Sequence, residues 1–260
     1  MVWQDVQAIR AQAPLVLNIT NYVVMNTTAN ALLAIGASPV MAHAIDEAED
    51  MARIAQALVI NIGTLSAPWV ESMFKAGRVA RERGIGIVLD PVGCGATAYR
   101  TRTAQELLRE IRPTVVRGNA SEIRALFRSG GNTKGVDSRD DPDDVVADAQ
   151  ALARSAGCVV SVSGAVDLIT DGERVARVAN GHVLMPRVTG MGCTASAITG
   201  AFLAVNGDAQ AAAANAMAAM GIAGEIAGST AAGPGSFQMN FLDALYHFDE
   251  MQLSTRLKLA

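Results

Sequence analysis

Gly86-Ile87-Val88-Leu89-Asp90-Pro91-Val92-Gly93-Cys94-Gly95-Ala96-Thr97 is the stretch on which the fold turns. An uninterrupted apolar run, too short for a helix, closes on a single acid, and glycines follow at once. Such a run reads as a strand buried on both faces. Working outward, similar short apolar runs lie at 14–19, 57–62, 114–117 and 158–162, beside the run at 86–89. Between them the apolar spacing is helical, at 26–35, 67–83, 119–128 and 143–155. Continuous apolar strands alternating with helices predict an α/β fold, a mostly parallel sheet with helices on both faces. Asp171-Gly172, between 168–170 and 175–178, predicts a β-hairpin after the fifth strand. From residue 193 onward the pattern is helical and Ala-rich. No repeat or low-complexity linker interrupts the chain, so residues 1–260 are expected to form one domain.

Composition narrows the function. Half of the residues (50%) are hydrophobic and only 4% aromatic, which predicts a sizeable aliphatic core. The net charge of -4 and the lack of a long basic run argue against nucleic acid and anionic membrane as partners. Asp5 and Arg10 interrupt the N-terminus before any apolar run, so no secretory signal is expected. The Ala-rich stretch 209–228 carries Asn215 and Glu225 and reads as a buried helix rather than a membrane span. Cys94, Cys158 and Cys193 form no CxxC or zinc spacing, and their odd number suggests reduced thiols in a cytoplasm. His43, His182 and His247 show no ligand spacing and read as structural or exposed. In the acidic cluster Asp137, Asp140, Asp141, Asp143 and Asp144, Asp141-Pro142 reads as a helix N-cap followed by proline at the first helical position. The cluster lacks the glycine and terminal glutamate of a calcium loop.

The strongest chemical signal is Thr189-Gly190-Met191-Gly192-Cys193-Thr194-Ala195-Ser196-Ala197. Two glycines precede a cysteine at a predicted helix start. Glycine permits close backbone approach, and unpaired helix-start amides favour an anion such as phosphate.

Other candidates sit at the ends of the predicted strands, where open α/β sheets bind ligands. Asp90 has two open readings, a strand-to-loop turn closed by an Asx bond or an acid facing a Mg2+–phosphate site. In Arg117-Gly118-Asn119-Ala120-Ser121-Glu122, Asn119 and Glu122 are spaced as a capping box. Arg117 just before them is a costly cation unless it meets an anion. Together these residues are suited to a triphosphate and hydrated magnesium. Ser163-Gly164, followed by Asp167, suits a phosphate or nucleotide contact, or a simple turn. The run 20–30 holds Asn21, Asn26 and Asn30, more than one cap needs. Asn26 or Asn30 is expected to face the core and bond a small heterocycle. Met41, after Ser38-Pro39-Val40, is apolar and adaptable, and on its own reads as core packing.

Taken in order, these motifs make the chain resemble the hydroxyethylthiazole kinases, a thiamine-pathway branch of the ribokinase-like superfamily. The carriers are TNYVVMNTTANALLAIGASPVMAHA, LDPVGCGAT, VVRGNASEI, KGVDS, SVSGAVDLITDG, TGMGCTASA and GPGSF, from Thr20 to about Tyr246. The resemblance implies a three-layer fold and transfer of the γ-phosphoryl of ATP to the alcohol of 4-methyl-5-(2-hydroxyethyl)thiazole, with Mg2+. It implies that Met41 and Gly190 contact the thiazole, with Asn26 in the same pocket. Arg117 and Ser163 would contact ATP, together with Asn119 of the NxxE motif, and Asp90 and Glu122 would organise Mg2+ and its waters. Gly190, Gly192 and Cys193 would form the catalytic segment, with Cys193 where most of the superfamily carries an aspartate base. A helix start is expected to lower the thiol from its usual pKa of about 8.5, so that Cys193 positions the alcohol and accepts its proton late. The resemblance also implies a homotrimer with active sites between subunits. Two other kinds of ribokinase-like enzyme compete: a kinase of hydroxymethylpyrimidine or pyridoxal, and an ATP-dependent dehydratase of nicotinamide-cofactor hydrate. Cys193 in place of aspartate weighs against both. A nucleotide-binding module without catalysis fits poorly with Asp90, Glu122 and the glycine–cysteine segment together.

Overall fold

The computed structural model of the chain describes residues 2–128 and 142–259. The elements are α1 (Val2–Gln12), β1 (Leu15–Ile19), α2 (Met25–Ile35), β2 (Ser38–Val40), α3 (Ala48–Ile54), β3 (Ala57–Asn61), α4 (Ala67–Arg83), β4 (Gly86–Asp90), α5 (Ala98–Ile111), β5 (Val115–Asn119), α6 (Ala120–Arg128), α7 (Pro142–Ala156), β6 (Val159–Ser163), β7 (Asp167–Thr170), β8 (Val175–Val178), α8 (Met191–Val205), α9 (Ala209–Thr230), α10 (Pro234–Tyr246) and α11 (Glu250–Arg256). The predicted cap at Asp141-Pro142, the acids Asp137 and Asp140, the side chain of Asp143 and the KGVDS segment lie outside what is described. Asp144 is exposed.

The strands form one eight-stranded sheet in the order β2-β1-β3-β4-β5-β6-β7-β8. β1 to β6 pair in parallel, and β7 and β8 continue the sheet antiparallel, with Asp171-Gly172 in the hairpin turn. The continuous apolar runs are buried on both sides, as a parallel sheet requires. α1, α2, α8, α9 and α10 bury one face around Phe202 and Phe237, and α3 to α7 bury the other around Leu58, Ile60 and Leu107. A fully buried side chain of this size contributes about 1.5–3 kcal/mol.

The chain alternation missed four elements. β2 is a three-residue edge strand containing Pro39 and pairs only with β1, the position where proline in a strand is tolerated. In α1 the buried residues are Val2, Val6 and Ile9, and in α5 Thr103, Ala104, Leu107 and Ile111. Both are helical stripes one side chain wide, diluted by polar neighbours. The fourth, α3, is a seven-residue helix burying only Ala48 and Ala52. The Ala-rich stretch is the buried helix α9, and no helix among the described residues is long and apolar enough to cross a membrane.

The strand order positions a crevice. From β1 the chain steps outward to β2 through α2 on the α8 side, then returns past β1 to β3 and continues the other way, with α4 on the opposite side. Right-handed crossovers in opposite directions put their helices on opposite faces. The carboxyl ends of β1 and β3 therefore flank a topological switch point, where such sheets bind ligands.

Candidate active site

Side chains alternate across a strand, so the face turned to α8 can be read in steps of two. Val59, Val88, Val115 and Val159 belong to the core on that face. Two residues further on, the same face carries Asn61, Asp90, Arg117 and Ser161, all buried. Register aligns Asn61 with Asp90, Arg117 with Ser161, and Asn119 with Ser163. The sheet thus changes from valine to polar groups along one line at its carboxyl edge.

The start of α8 faces this line. Gly190 is its N-cap in the left-handed region at φ 83°, and a Cβ there would fall 2.6 Å from Val24 Cγ1. A Cβ on Gly192 would fall 2.8 Å from Arg117 Nη1. The guanidinium therefore lies against the first turn, beside amides that have no partner within the helix. These amides and the helix dipole amount to roughly half a positive charge. Arg117 is 7% exposed, its Nε has no hydrogen-bond partner, and no carboxylate among the described residues lies within ion-pair distance. Two positive features converge on one cavity, and Arg117 feels Asp90 and Asp167 only through space, without a hydrogen-bonded ion pair.

Beneath them runs a chain of hydrogen bonds. Asn21 Nδ2 donates to Asn61 Oδ1 at 2.8 Å and to Cys193 Sγ at 3.4 Å. Asn61 Nδ2 donates to Asp90 Oδ2 at 2.8 Å, and Ser196 Oγ donates to the same oxygen at 2.7 Å. The Asx reading of Asp90 is corrected: the turn is closed by its main-chain oxygen, which accepts from Val92 N. Burial pushes the Asp90 carboxyl up to about 6, against the opposing pull of Arg117. The expectation of a lowered Cys193 pKa is also corrected. Burial, reinforced by Asp90, pushes the thiol up to about 11 and outweighs the asparagine contacts and Arg117.

The predicted capping box forms: Glu122 N donates to Asn119 Oδ1, and Asn119 N donates to Glu122 Oε2, both at 2.9 Å. Glu122 Oε1 also accepts from Gly93 N at 2.8 Å, tying α6 to the loop after β4. Ser163 Oγ donates to Gly118 O at 3.3 Å, and Gly164 N donates to Asp167 Oδ1 at 3.0 Å. Burial raises Asp167 to about 6.

Most of these groups, though not Asn21, Asn61 or Ser196, line one cavity of about 810 Å³, within the range of small-molecule sites. Its lining includes Asp90, Arg117, Asn119, Glu122, Ser163, Gly190, Gly192 and Cys193 as well as the apolar Met185, Met217 and Met220. Met41 and Asn26 do not line it. Met41 is half-buried just after the edge strand β2. Asn26 is exposed and accepts from Asn30 Nδ2 at 3.1 Å, which corrects the expected core-facing role of that pair. α2 starts at Met25, so positions 26 and 30 share an outer helical face, and Asn21, still at the end of β1, reaches the site instead. Asn61 and Ser196 were not anticipated. A lone asparagine inside the apolar run 57–62 was the available signal for Asn61. His182 also lines the cavity, stacked on Phe237 with ring centroids 5.8 Å apart.

Comparison with known proteins places this geometry among relatives. Residues 6–251 match the signature described as the Hydroxyethylthiazole kinase family. The hydroxyethylthiazole kinase of Oleidesulfovibrio alaskensis is 60% identical over 245 residues, covering 94% of this chain and 92% of that protein. That of Syntrophus aciditrophicus is 57% identical over 259 residues, covering 99% and 96%. The solved hydroxyethylthiazole kinase structure from Pyrococcus horikoshii superimposes with a TM-score of 0.93 at 46% identity, covering 100% of this chain and 98% of that one. A pyridoxal kinase from Staphylococcus aureus, solved with AMP-PCP and pyridoxal, gives a TM-score of 0.61 at 18% identity, covering 82% and 88%. This second likeness is one of fold alone, the ribokinase-like three-layer arrangement.

Proposed function

The chain belongs to the hydroxyethylthiazole kinase family, and on that premise we propose that it transfers the terminal phosphoryl group of ATP to the hydroxyl of 4-methyl-5-(2-hydroxyethyl)thiazole. The product is the thiazole phosphate used in thiamine biosynthesis and salvage. The observation that carries the reading is the buried Arg117 guanidinium, its Nε without a hydrogen-bond partner, lying against Gly192 at the start of α8, one residue from Cys193.

Phosphoryl transfer depends on alignment and charge neutralisation more than on covalent chemistry. Arg117 offsets phosphate charge, and Ser163 and Asn119 line the same cavity. The amides of 190–193 receive the moving phosphoryl group. Cys193, a neutral thiol fixed by the Asn21 amide, orients the attacking alcohol. In a loose transition state the alcohol proton leaves late, which removes the need for a thiolate base, and we assign that proton to the transferred phosphoryl oxygens.

Magnesium characteristically binds through one or two carboxylates together with substrate phosphates. Asp90 and Glu122 supply two carboxylates to one cavity, and no group of three or more His, Cys, Asp or Glu among the described residues could hold a metal alone. The residues fit an ion shared with ATP, held by Asp90 and Glu122. Bound Mg2+ supplies charge neutralisation at the transferring phosphoryl group.

We assign the thiazole ring to a pocket shared between subunits of a homotrimer, with Met41 and Asn26 on one side and Gly190 on the other. Met41 and Asn26 stand outside the single-chain cavity, and Tyr22 and Val23, just before α2, are 65% and 62% exposed. Sedimentation velocity is expected to give a trimer, and a fully active monomer would overturn the shared pocket. The free thiols Cys94, Cys158 and Cys193 support a cytoplasmic enzyme. Side-by-side kinetics on the thiazole alcohol, hydroxymethylpyrimidine and pyridoxal test the substrate. A higher kcat/KM on either of the last two would overturn the assignment.

A further inference from the structure

The segment that leaves β8 at Val178 supplies Ala179, Asn180, Gly181, His182 and Val183 to one wall of the cavity. It crosses α9 on a stripe of glycines. A Cβ on Gly221 would lie 2.5 Å from Asn180 O, one on Gly224 2.6 Å from Met185 Sδ, and one on Gly228 2.4 Å from the His182 ring. Positions three and four apart share a helix face, so the segment is seated directly on the α9 backbone.

A polar clamp holds it there. Asn180 is 5% exposed. Its Nδ2 donates to Glu225 Oε1 at 3.0 Å and to the main-chain oxygen of Arg256 at 2.7 Å, and its Oδ1 accepts from Lys258 N at 2.9 Å. Glu225 Oε1 also accepts from Gly181 N at 3.2 Å and from Lys258 Nζ at 2.8 Å. Ala179 N donates to Lys258 O at 2.9 Å. Both donor hydrogens of the Asn180 amide are used within the protein, and its oxygen is engaged too. Glu225, which merely interrupts an apolar stretch in the sequence, is the hub that joins α9, the wall and residues 256–258.

We infer that Asn180 and Glu225 are positioning residues for the phosphate donor: they fix the wall against which its uncharged end rests. The inference rests on the reading that the cavity binds ATP. Arg117 and the first turn of α8 line the cavity together with Met185, Met217 and Met220. A triphosphate has its charge matched only by the first set, which leaves the nucleoside to the methionines. The Asn180 side chain has no donor left for the nucleotide, so it acts through where it holds residues 179–183.

The test is steady-state kinetics on the full chain with MgATP and the thiazole alcohol, with Arg117→Ala as reference. Losing a buried hydrogen-bonding partner at Asn180→Ala is expected to raise KM for ATP about tenfold, with kcat and the KM for the alcohol within about twofold. Glu225→Gln keeps an acceptor for Asn180 and Gly181 and is expected to raise KM for ATP less than Glu225→Ala does. Lys258→Ala, at a side chain 58% exposed, serves if Asn180→Ala does not fold, with an expected rise of about two- to threefold. If Arg117→Ala weakens ATP and the clamp variants do not, the inference falls while the nucleotide reading stands. A parallel rise in both KM values would reduce the clamp to general stability and also overturn it. If neither Arg117→Ala nor the clamp variants affect ATP, the nucleotide reading itself fails.

Discussion

Asn61 hands an amide hydrogen to the buried carboxylate of Asp90 across adjacent strands at 2.8 Å. The contact joins the inner switch-point strand to the acid that ends β4. Asn61→Leu removes one of two donors from a buried carboxylate, and such a loss costs about 1–3 kcal/mol. We expect a lower denaturant midpoint and at least a tenfold loss of kcat/KM, since about 1.4 kcal/mol at the transition state corresponds to a factor of ten. Unfolding titrations and initial rates on the same preparation check both.

Cys193→Ala should slow turnover and leave measurable kinase activity. A positioning thiol is expected to account for roughly tenfold to a hundredfold, at or below the low end of the about 10²–10⁴ of a general base. With the wild-type thiol pushed up to about 11, the profile of kcat against pH between 6 and 9 should keep its shape in the variant. Complete loss of activity in a well-folded Cys193→Ala would contradict this role.

Asp167 makes a prediction about pH. Burial raises its carboxyl from the usual range to about 6. The folded state then keeps a proton that the unfolded state has released, so stability falls as pH rises through roughly 4 to 6 and levels off above. Asp167→Asn preserves an acceptor for Gly164 N and removes the charge. It should be more stable than the parent chain at pH 7 by on the order of 1–3 kcal/mol, with a flatter slope across that window. Denaturant titrations from pH 4 to 8 measure it.

Gly192→Ala places a methyl carbon 2.8 Å from Arg117 Nη1, too close for both to keep their places. We expect an intact fold, a KM for ATP raised about tenfold through a displaced guanidinium, and a smaller change for the alcohol. Circular dichroism together with kinetics in both substrates checks it.

The fold was largely legible because buried parallel strands are written as uninterrupted apolar runs, and 57–62 and 86–89 needed no context. β2 escaped because Pro39 forbids a central strand and only the edge position, invisible locally, permits it. In the site, Asn119 and Glu122 were legible as a cap because capping chemistry is local. Asn21, Asn61 and Ser196 come together across gaps of 40 and 106 residues (Asn21 to Asn61, and Asp90 to Ser196). No spacing in the chain encodes such a meeting. That the thiol of Cys193 is raised rather than lowered was not legible, because a helix start is visible in the sequence, whereas burial beside Asp90 is not.

The central claim is that Arg117 and the start of α8 form the phosphate end of an ATP site. Calorimetric titration of Arg117→Ala with a non-hydrolysable ATP analogue tests it most directly. We predict nucleotide affinity weaker by at least about tenfold, the worth of one charge-assisted contact, with thiazole binding largely retained. Unchanged nucleotide affinity in a folded Arg117→Ala would contradict the account.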